Sequence, residues 1–535
     1  MKIVTAITVA TALAAGFISI APSASAHDED AVLGAVNFPV SCTPPAQKLF
    51  NKAAALLYSF HWSRVDSALI DVLEADPACS MAFWAKAVAS MDNPLGSRPT
   101  PKQEREGWLA VEKALQTAPS TERERDYIAA VEAFFKDHGT VPYETRASAY
   151  EKAMARLHAR YPDDLEAAVL YAFWLQVTAD RNDQTYTKQL RSAAILEKVF
   201  AANPHHPGAA HFLIHAYDFP AIASRGVDAA KRYALIAPAS PHALHMPSHI
   251  FSRTGFWKES IESNTRARAV SKLDREVFHA LDYMMYASLQ LGRDAEGKQW
   301  LDFIAGIKKP NEQVRQVAYA SAAMPARFAL ERGDWATAAL LELHPVKGDF
   351  AWQNFPEAEA VNAFARGVGA ARSGNPEAAR HELTRLAELR KSMVAQKKDY
   401  WAEQADIQVA AISAWIDRAE GRNENAVRNL RAAADHEDKT EKHIMMPGWV
   451  IPVREMLGEL LVELGQPAPA LIAFEQSQKT DPNRFRNLYG AARAAELAGN
   501  REKARQYYAR LLEQLGDATA DRAEIKRAKQ FVAAR

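Results

Sequence analysis

Two pairs of histidines, each with its members four residues apart, are the residues in this sequence best suited to chemistry. His211 and His215 form the first pair, and His245 and His249 form the second pair 34 residues further along. Another step of 34 residues from His245 reaches His279. Side chains at positions i and i+4 of a helix share one face, and imidazole is a common ligand of zinc, copper and iron. The spacing therefore predicts a divalent transition-metal site whose ligands recur at a fixed interval.

Several neighbouring residues are candidates to complete or orient this site. Carboxylates commonly hold metal-bound histidines in place, and His242 lies one helical turn before His245. The additional candidates are His242, Glu166, Asp218, Asp282 and Tyr283. Neither histidine pair encloses a glutamate, so the H-E-x-x-H pattern of zinc proteases is absent. Two other interpretations stay open, namely histidines that simply pack between helices and a pocket for an anion or acidic ligand.

Pro247 interrupts the second histidine pair. A proline inside a helix removes one backbone hydrogen bond and kinks the chain. We therefore expect the segment "PHALHMPSHIFS" to begin as extended or 3₁₀ backbone, with the helix starting near Pro247 and His245 at its start. His205 and His206 precede the first pair in a loop, and we expect both to be exposed.

The elements that must position these histidines are predicted to be α-helices. Apolar residues recur at helical spacing along the chain, as in "KLFNKAAALLYSFHW" and "REMLGELLVELG", and helix-favouring residues are abundant. Strand-like alternation bounded by Asn-Gly or Asp-Gly turns is missing from the sequence. The fold class predicted is all-α.

A repeat becomes visible near the C-terminus. Ala470 and Phe474 are followed 34 residues later by Ala504 and Tyr508, and Pro482 closes the unit between them. This order of small residue, aromatic residue and closing proline resembles the tetratricopeptide repeat (TPR) family. The motifs "HPGAAHFLIHAYD" and "PHALHMPSHIF" also resemble those of a group of exported bacterial TPR proteins. This resemblance implies a fold but no particular activity.

The TPR resemblance implies a curved solenoid of stacked helical hairpins with irregular insertions. Residues one repeat apart become neighbours in such a stack, and the first helix of each TPR hairpin lines a concave groove. We therefore expect the two histidine pairs to converge on one groove-facing cluster with His279 at its edge. A carboxylate from Glu166, Asp218 or Asp282 should lie within reach of this cluster.

The beginning of the chain is typical of a cleavable secretory signal. "MKIVTAITVATALAAGFISIAPSASA" has an early lysine, an apolar stretch and the small-residue ending Ala24-Ser25-Ala26. Residues 1–26 are therefore predicted to be removed, and the mature protein to be periplasmic or secreted. In an oxidising compartment two lone cysteines, Cys42 and Cys79, are expected to form a disulfide, with two separately buried thiols as the alternative.

Charge and hydropathy limit the partners expected. Lys plus Arg and Asp plus Glu each number 65, which gives no net charge. Nucleic acids and anionic membranes attract basic proteins, so we expect neither as a partner. No later run reaches the roughly 20 apolar residues that a membrane span needs.

We expect an N-terminal TPR-like region with the histidines over 27–345, a less regular helical region over 346–440, and C-terminal TPR repeats over 441–535.

Two functions are compatible with these features. The first is an exported TPR scaffold that binds a peptide, protein or small molecule in its groove, with histidines that hold a divalent metal. The second is a metal-dependent enzyme, a hydrolase or oxidoreductase, whose histidine-bound ion activates water or oxygen. We favour the scaffold because TPR arrays usually bind rather than catalyse. No catalytic residue is assigned, and zinc, copper and iron all remain candidates.

Overall fold

The computed structural model describes residues 32–180, 183–345, 348–516 and 521–534. The predicted signal peptide lies outside these residues. Val32–Arg535 form one compact unit, and every regular element in the described part of the chain is helical. The all-α prediction is confirmed. Across the described residues, each helix is either too short or too polar to cross a lipid bilayer.

Most consecutive helices are joined by short connections and pack on each other as hairpins. The N-terminal helices are α1 (Pro44–Tyr58), α2 (Trp62–Ala75), α3 (Ser80–Ala89), α4 (Pro101–Gln116), α5 (Glu122–Phe135), α6 (Tyr143–Arg160), α7 (Leu165–Val177) and α8 (Thr187–Ala202). The next are α9 (Pro207–Tyr217), α10 (Val227–Ile236), α11 (Pro241–His245), α12 (Pro247–Thr254), α13 (Trp257–Val270), α14 (Asp274–Gln290), α15 (Asp294–Ala305), α16 (Arg315–Glu331) and α17 (Trp335–Ala339). The last are α18 (Pro356–Arg372), α19 (Pro376–Ala395), α20 (Asp399–Ala419), α21 (Asn423–Glu437), α22 (Val453–Glu463), α23 (Pro467–Thr480), α24 (Phe485–Leu497), α25 (Arg501–Leu515) and α26 (Ala523–Ala533).

The first helices of successive hairpins stack around the histidines. Helix α9 packs on α7 and α12, while α14 packs on α11 and α12. Helix α9 begins at Pro207 and α11 begins at Pro241, which are 34 residues apart. A proline at the first position of a helix is favourable because its fixed φ suits the helix and its missing N–H is not needed there. Residues at equal positions in α9 and α11–α12 therefore become neighbours.

Gly208 allows α9 to approach α1 and α7 closely. A Cβ atom at Gly208 would lie 2.9 Å from Cγ of Tyr58 and 3.1 Å from Cγ1 of Val169. These distances are shorter than ordinary carbon–carbon contacts, so a larger residue would push the helices apart. This close packing brings the end of α1 next to the histidines of α9.

Residues 346–440, which we expected to form a less regular helical region, are largely helical. Helices α18, α19, α20 and α21 in this region contain 17, 20, 21 and 15 residues. Helices α18 and α20 begin 43 residues apart, at Pro356 and Asp399, so the 34-residue step is not kept here. A further irregular segment, residues 438–452 between α21 and α22, reaches the histidines.

A disulfide bond joins Cys42 to Cys79. Cys42 lies two residues before α1, and Cys79 is the residue before α3. The bond closes a loop with a sequence separation of 37 residues around the first hairpin. It therefore fastens the N-terminal segment to the second hairpin.

Candidate metal centre

Six histidines lie together where α9, α11, α12 and α14 meet, and they form two triads. The first triad consists of His211, His215 and His242, and the second triad consists of His245, His249 and His279. Within each triad one nitrogen of every imidazole lies within 4.8 Å of the others. Each triad thus combines an i, i+4 pair with one histidine from the next helix of the stack.

In the first triad the imidazoles meet at the Nε2 atom of His211. This atom lies 3.0 Å from Nε2 of His215 and 3.1 Å from Nε2 of His242. On the other side of the ring, Nδ1 of His211 lies 2.6 Å from the carbonyl oxygen of Tyr58. A carbonyl oxygen can only accept a hydrogen bond, so Nδ1 carries the proton. The Nε2 atom of neutral His211 therefore has a free lone pair directed at its neighbours.

The second triad has its protons fixed in the same way. Nδ1 of His245 lies 2.7 Å from Oδ1 of Asn264, whose Nδ2 donates to the carbonyl of Ser260 at 2.8 Å. Nδ1 of His249 lies 2.9 Å from Oδ2 of Asp218. Both Nδ1 atoms are therefore donors, and both Nε2 atoms carry lone pairs. These two Nε2 atoms are only 3.1 Å apart.

His279 is the third member of the second triad, and Tyr283 lies next to this triad. The hydroxyl of Tyr283 lies 3.3 Å from Nε2 of His249 and 3.2 Å from the carbonyl oxygen of Met446, and it can donate its single proton to either acceptor. The ring of His279 has its centroid 4.4 Å from that of His245. Tyr283 therefore lies between the lone pair of His249 and the segment at 438–452.

Burial keeps the histidines neutral. It lowers the pKa of all six imidazoles, and in five of them the largest further effect that lowers the pKa comes from a neighbouring imidazole. The pKa of His245 falls to about 3. In His249 the hydrogen bond to Asp218 opposes part of the effect of burial on the pKa. The neutral form is the one that binds a metal ion.

Asp218 orients the second triad through His249. Its Oδ1 atom accepts a hydrogen bond from Nε of Arg253 at 2.9 Å, and Nζ of Lys442 lies 3.2 Å from the carboxylate. Burial acts to raise the pKa of Asp218, but Lys442 and Arg253 hold it well below its usual range. A carboxylate that accepts from the ring of His249 is a common support for a metal-bound histidine.

Glu166 and Asp282 do not join the triads, contrary to expectation. Glu166 accepts a hydrogen bond from the hydroxyl of Tyr58 at 2.6 Å and lies 3.3 Å from Nε2 of His206. Asp282 accepts from Nε of Arg327 at 2.9 Å. Each carboxylate is buried and accepts a hydrogen bond from a donor on another helix. Their positions in the sequence predicted that Glu166 and Asp282 would lie near the histidines, but their side chains point to Tyr58 and Arg327 instead.

His206 is buried, although a loop position predicted exposure. Its Nδ1 atom accepts a hydrogen bond from the backbone N–H of Ala209 at 3.1 Å and so caps α9. Because Nδ1 is an acceptor, the proton lies on Nε2, which faces Glu166. His205 is exposed, as predicted. His206 thus fixes the start of the helix that carries the first histidine pair.

The backbone around Pro247 is helical on both sides. Helix α11 ends at His245 and α12 begins at Pro247, while Met246 between them has helical angles of φ −52° and ψ −35°. The segment therefore starts as a helix at Pro241 rather than as extended backbone. Pro247 only interrupts the hydrogen bonding, so His245 lies at the end of the first piece and still shares a face with His249.

The histidines are enclosed rather than open to a groove. His211, His215, His245 and His249 are each no more than 5% exposed, and His242 and His279 are partly buried. The segment at 438–452 covers the second triad through the contacts of Met446 and Lys442. Because this segment is distant in sequence, the 34-residue spacing of the histidines could not predict its contacts with the second triad. Asn264 and the carbonyl of Tyr58 were also missed, since neither position has a recognisable sequence pattern.

The two triads adjoin each other. The ring centroids of His215 and His249 are 6.0 Å apart, and those of His242 and His245 are 6.2 Å apart. These separations are no longer than the 6.3 Å between His249 and His279 within the second triad. The arrangement is therefore one cluster of six imidazoles with two possible centres.

The geometry and the donor set fit transition-metal ions. Ligands about 2.0–2.1 Å from a tetrahedral ion lie roughly 3.3 Å from each other. Three pairs of Nε2 atoms, His211 with His215, His211 with His242 and His245 with His249, are 3.0 to 3.1 Å apart, and all ligand atoms of a triad lie within 4.8 Å of one another. Imidazole ligands favour zinc, copper or iron over calcium and magnesium, which prefer oxygen.

The paired helices and the 34-residue step from α9 to α11 are those of a TPR-like fold. No protein-family model matches the chain, and no curated protein does either. Solved structures with a similar course include a tetratricopeptide repeat protein from Parabacteroides merdae ATCC 43184, at 13% identity over 55% of this chain and 97% of that chain, with a TM-score of 0.29. A human IFIT1 dimer with PPP-AAAA has 12% identity over 86% and 95% of the two chains and a TM-score of 0.38. The APC/C hetero-tetramer Cut9-Hcn1 has 12% identity over 91% and 75% and a TM-score of 0.33.

Proposed function

We propose that this TPR-like protein holds two transition-metal ions, one in each histidine triad. The observation that supports this most directly is the pair of Nε2 atoms of His245 and His249 at 3.1 Å. Both rings use their Nδ1 protons elsewhere, on Asn264 and Asp218. Two lone pairs therefore face each other in a buried place, where unsatisfied polar atoms are costly.

Packing alone would leave the lone pairs of His245 and His249 facing each other. Protonation of one ring would place a hydrogen bond between the two Nε2 atoms, but burial lowers the pKa of both His245 and His249. A metal ion bound to both nitrogens removes the repulsion without adding a proton. The three supports on His211, His245 and His249 are a backbone carbonyl, an amide and a carboxylate, and these are common outer partners of metal-bound histidines.

A metal-dependent enzyme is the second candidate function. Each triad supplies three protein ligands, and catalytic zinc sites typically have three protein ligands and one open position. A cavity of about 350 Å³ lies beside His215, so a small molecule could come close to the first triad. These features favour a reactive site over a purely structural one, whether the reaction is a hydrolysis or an oxidation. A peptide or protein partner on the scaffold is compatible with either function.

Export to the periplasm or the cell exterior is a further part of the proposal. It rests on the signal-like sequence at residues 1–26 and agrees with the disulfide between Cys42 and Cys79, because disulfides persist in oxidising compartments. N-terminal sequencing of the protein recovered from the periplasmic fraction tests it. A start near His27 is expected, and a retained Met1 in cytoplasmic protein would contradict export.

The metal proposal is tested with full-length protein purified without a histidine tag. After incubation with zinc, copper or iron and dialysis, elemental analysis should give about two ions per chain for at least one metal. His211→Ala and His249→Ala should each lose about one ion while keeping their helicity. His381→Ala is the control because His381 is on the surface, with its side chain 82% exposed. A protein that retains no metal from any of the three solutions would overturn the proposal.

A further inference from the structure

Three buried polar atoms without a hydrogen-bond partner among the described residues belong to one cavity. They are Oε1 of Gln176, Oε1 of Gln189 and Nδ1 of His215. The three residues are 8%, 5% and 5% exposed, respectively. All three line the cavity of about 350 Å³ between α7, α8, α9 and the segment at 438–452. Buried polar groups are nearly always hydrogen-bonded, so their concentration at one cavity indicates a site for a ligand.

The hydrogen-bonding roles of two of these atoms can be assigned. Gln176 uses its Nε2 group to donate to Oγ of Ser192 at 2.8 Å and to the carbonyl of Phe212 at 3.0 Å. Its Oε1 atom is therefore an acceptor. His215 directs Nε2 at His211. If Nε2 binds an ion, neutral His215 carries its proton on Nδ1, which becomes a donor; this step rests on the proposed function.

Three charged groups of the cavity wall already have partners, and the fourth, Asp399, is exposed. Lys442 lies 3.2 Å from the carboxylate of Asp218, and Glu441 accepts a hydrogen bond from Tyr186 at 3.0 Å. Glu403 lies 3.1 Å from Nε2 of His436 on α21. Much of the remaining wall is apolar and includes Leu95, Phe219 and Ile444. The buried atoms that await a partner are thus neutral, and the wall favours a molecule with an apolar part.

We propose that this cavity binds a neutral small molecule that carries hydroxyl groups and an apolar part. A hydroxyl group can donate to the glutamine oxygens and can accept from Nδ1 of His215, whereas an ammonium group only donates and a carboxylate only accepts. The volume falls in the range of about 300–1,000 Å³ found for small-molecule sites. The bound hydroxyl group would lie on the opposite side of the His215 ring from the first triad.

Hexane-1,2-diol is a suitable probe because it combines two hydroxyl groups with a short alkyl chain. Its binding to metal-loaded, full-length protein is measured by calorimetry, and 1,2-dimethoxyhexane serves as the matched compound without O–H donors. We expect saturable binding of the diol that is at least about tenfold tighter than binding of the diether, since the donors to the glutamines are lost.

Gln189→Met tests the site within the protein. Methionine has a similar shape but lacks the amide oxygen, so diol binding should weaken about tenfold while the metal content stays unchanged. Gln408→Met is the matched control, because Oε1 of Gln408 also has no partner among the described residues but lines a separate cavity of about 40 Å³. Circular dichroism and melting of both variants check that the fold is kept.

The outcomes separate this proposal from the metal proposal. If the protein holds ions but the diol does not saturate it, or Gln189→Met binds the diol as tightly as the original chain, the ligand site is overturned and the metal centre stands. If no metal is retained but the diol binds and depends on Gln189, the metal centre fails and the ligand site is supported.

Discussion

Replacing Asp218 by asparagine should weaken the binding of one metal ion and leave the other almost unchanged. Asp218 supports only the second triad, through the hydrogen bond from His249 at 2.9 Å. The first triad is oriented by the carbonyl of Tyr58, which lies 2.6 Å from His211 and which no side-chain substitution removes. The two ions should therefore respond differently to the same change.

The magnitude follows from the contacts of the carboxylate. Loss of an outer partner of a metal-bound histidine typically reduces metal affinity 10- to 100-fold, or about 1.4–2.8 kcal/mol. Asparagine keeps the shape and one oxygen but removes the charge that Arg253 and Lys442 face at 2.9 and 3.2 Å. Breaking a buried ion pair costs about 3–5 kcal/mol, and Glu441 at 3.4 Å from Arg253 should reduce this cost. The variant is expected to be less stable as well as weaker in binding one ion.

Competition with a chelator of known affinity resolves the two binding steps. Asp282→Asn is the control, because Asp282 is also a buried aspartate paired with an arginine, Arg327, but lies outside both triads. Both variants should lower the urea midpoint, whereas only Asp218→Asn should weaken a metal-binding step. Equal weakening of both ions by Asp218→Asn, or the same weakening by Asp282→Asn, would refute the assignment of Asp218 to the second triad.

Three further outcomes are expected. Cys42→Ser with Cys79→Ser should lower the free energy of unfolding by about 4 kcal/mol, since the 37-residue loop is no longer closed in the unfolded chain; unchanged urea midpoints would contradict this. Metal-free protein should lose stability as the pH falls below about 6.5, by up to about 1.4 kcal/mol per pH unit for each buried histidine, because the unfolded chain binds protons that the folded histidines refuse. For His245 this loss continues to about pH 3, and urea unfolding at stepped pH values should show it; a flat profile would argue against neutral buried histidines. Glu166→Gln should keep both ions by elemental analysis, because Glu166 contacts Tyr58 and His206 instead of a triad; loss of an ion would place it in the site.

The helical class and the neighbourhood of the histidines could be predicted from local sequence. Apolar residues at helical spacing determine which face of each helix is buried, and this information is contained in every short window of the chain. The 34-residue interval between His211 and His245 adds one long-range statement, because stacked hairpins place equal positions side by side. Together they were sufficient to bring six histidines to one region.

The division of those histidines into two triads could not be predicted in this way. Periodicity gives the position of a residue along a helix but not the direction in which its side chain finally points. His242 joins His211 and not its own neighbour His245 in a triad. Glu166 and Asp282 were equally plausible ligands by position, yet each is bonded to a donor from a different helix.

The sequence by itself determined that the chain is helical, that its hairpins repeat, and that histidines recur at one position of the repeat. The tertiary structure alone decided which ring nitrogens carry protons, because the acceptors are a backbone carbonyl at Tyr58 and side chains of Asn264 and Asp218. It also decided that the site is enclosed, since Lys442 lies 224 residues from Asp218 along the chain. Contacts over such distances depend on how whole hairpins pack, and no local pattern encodes them.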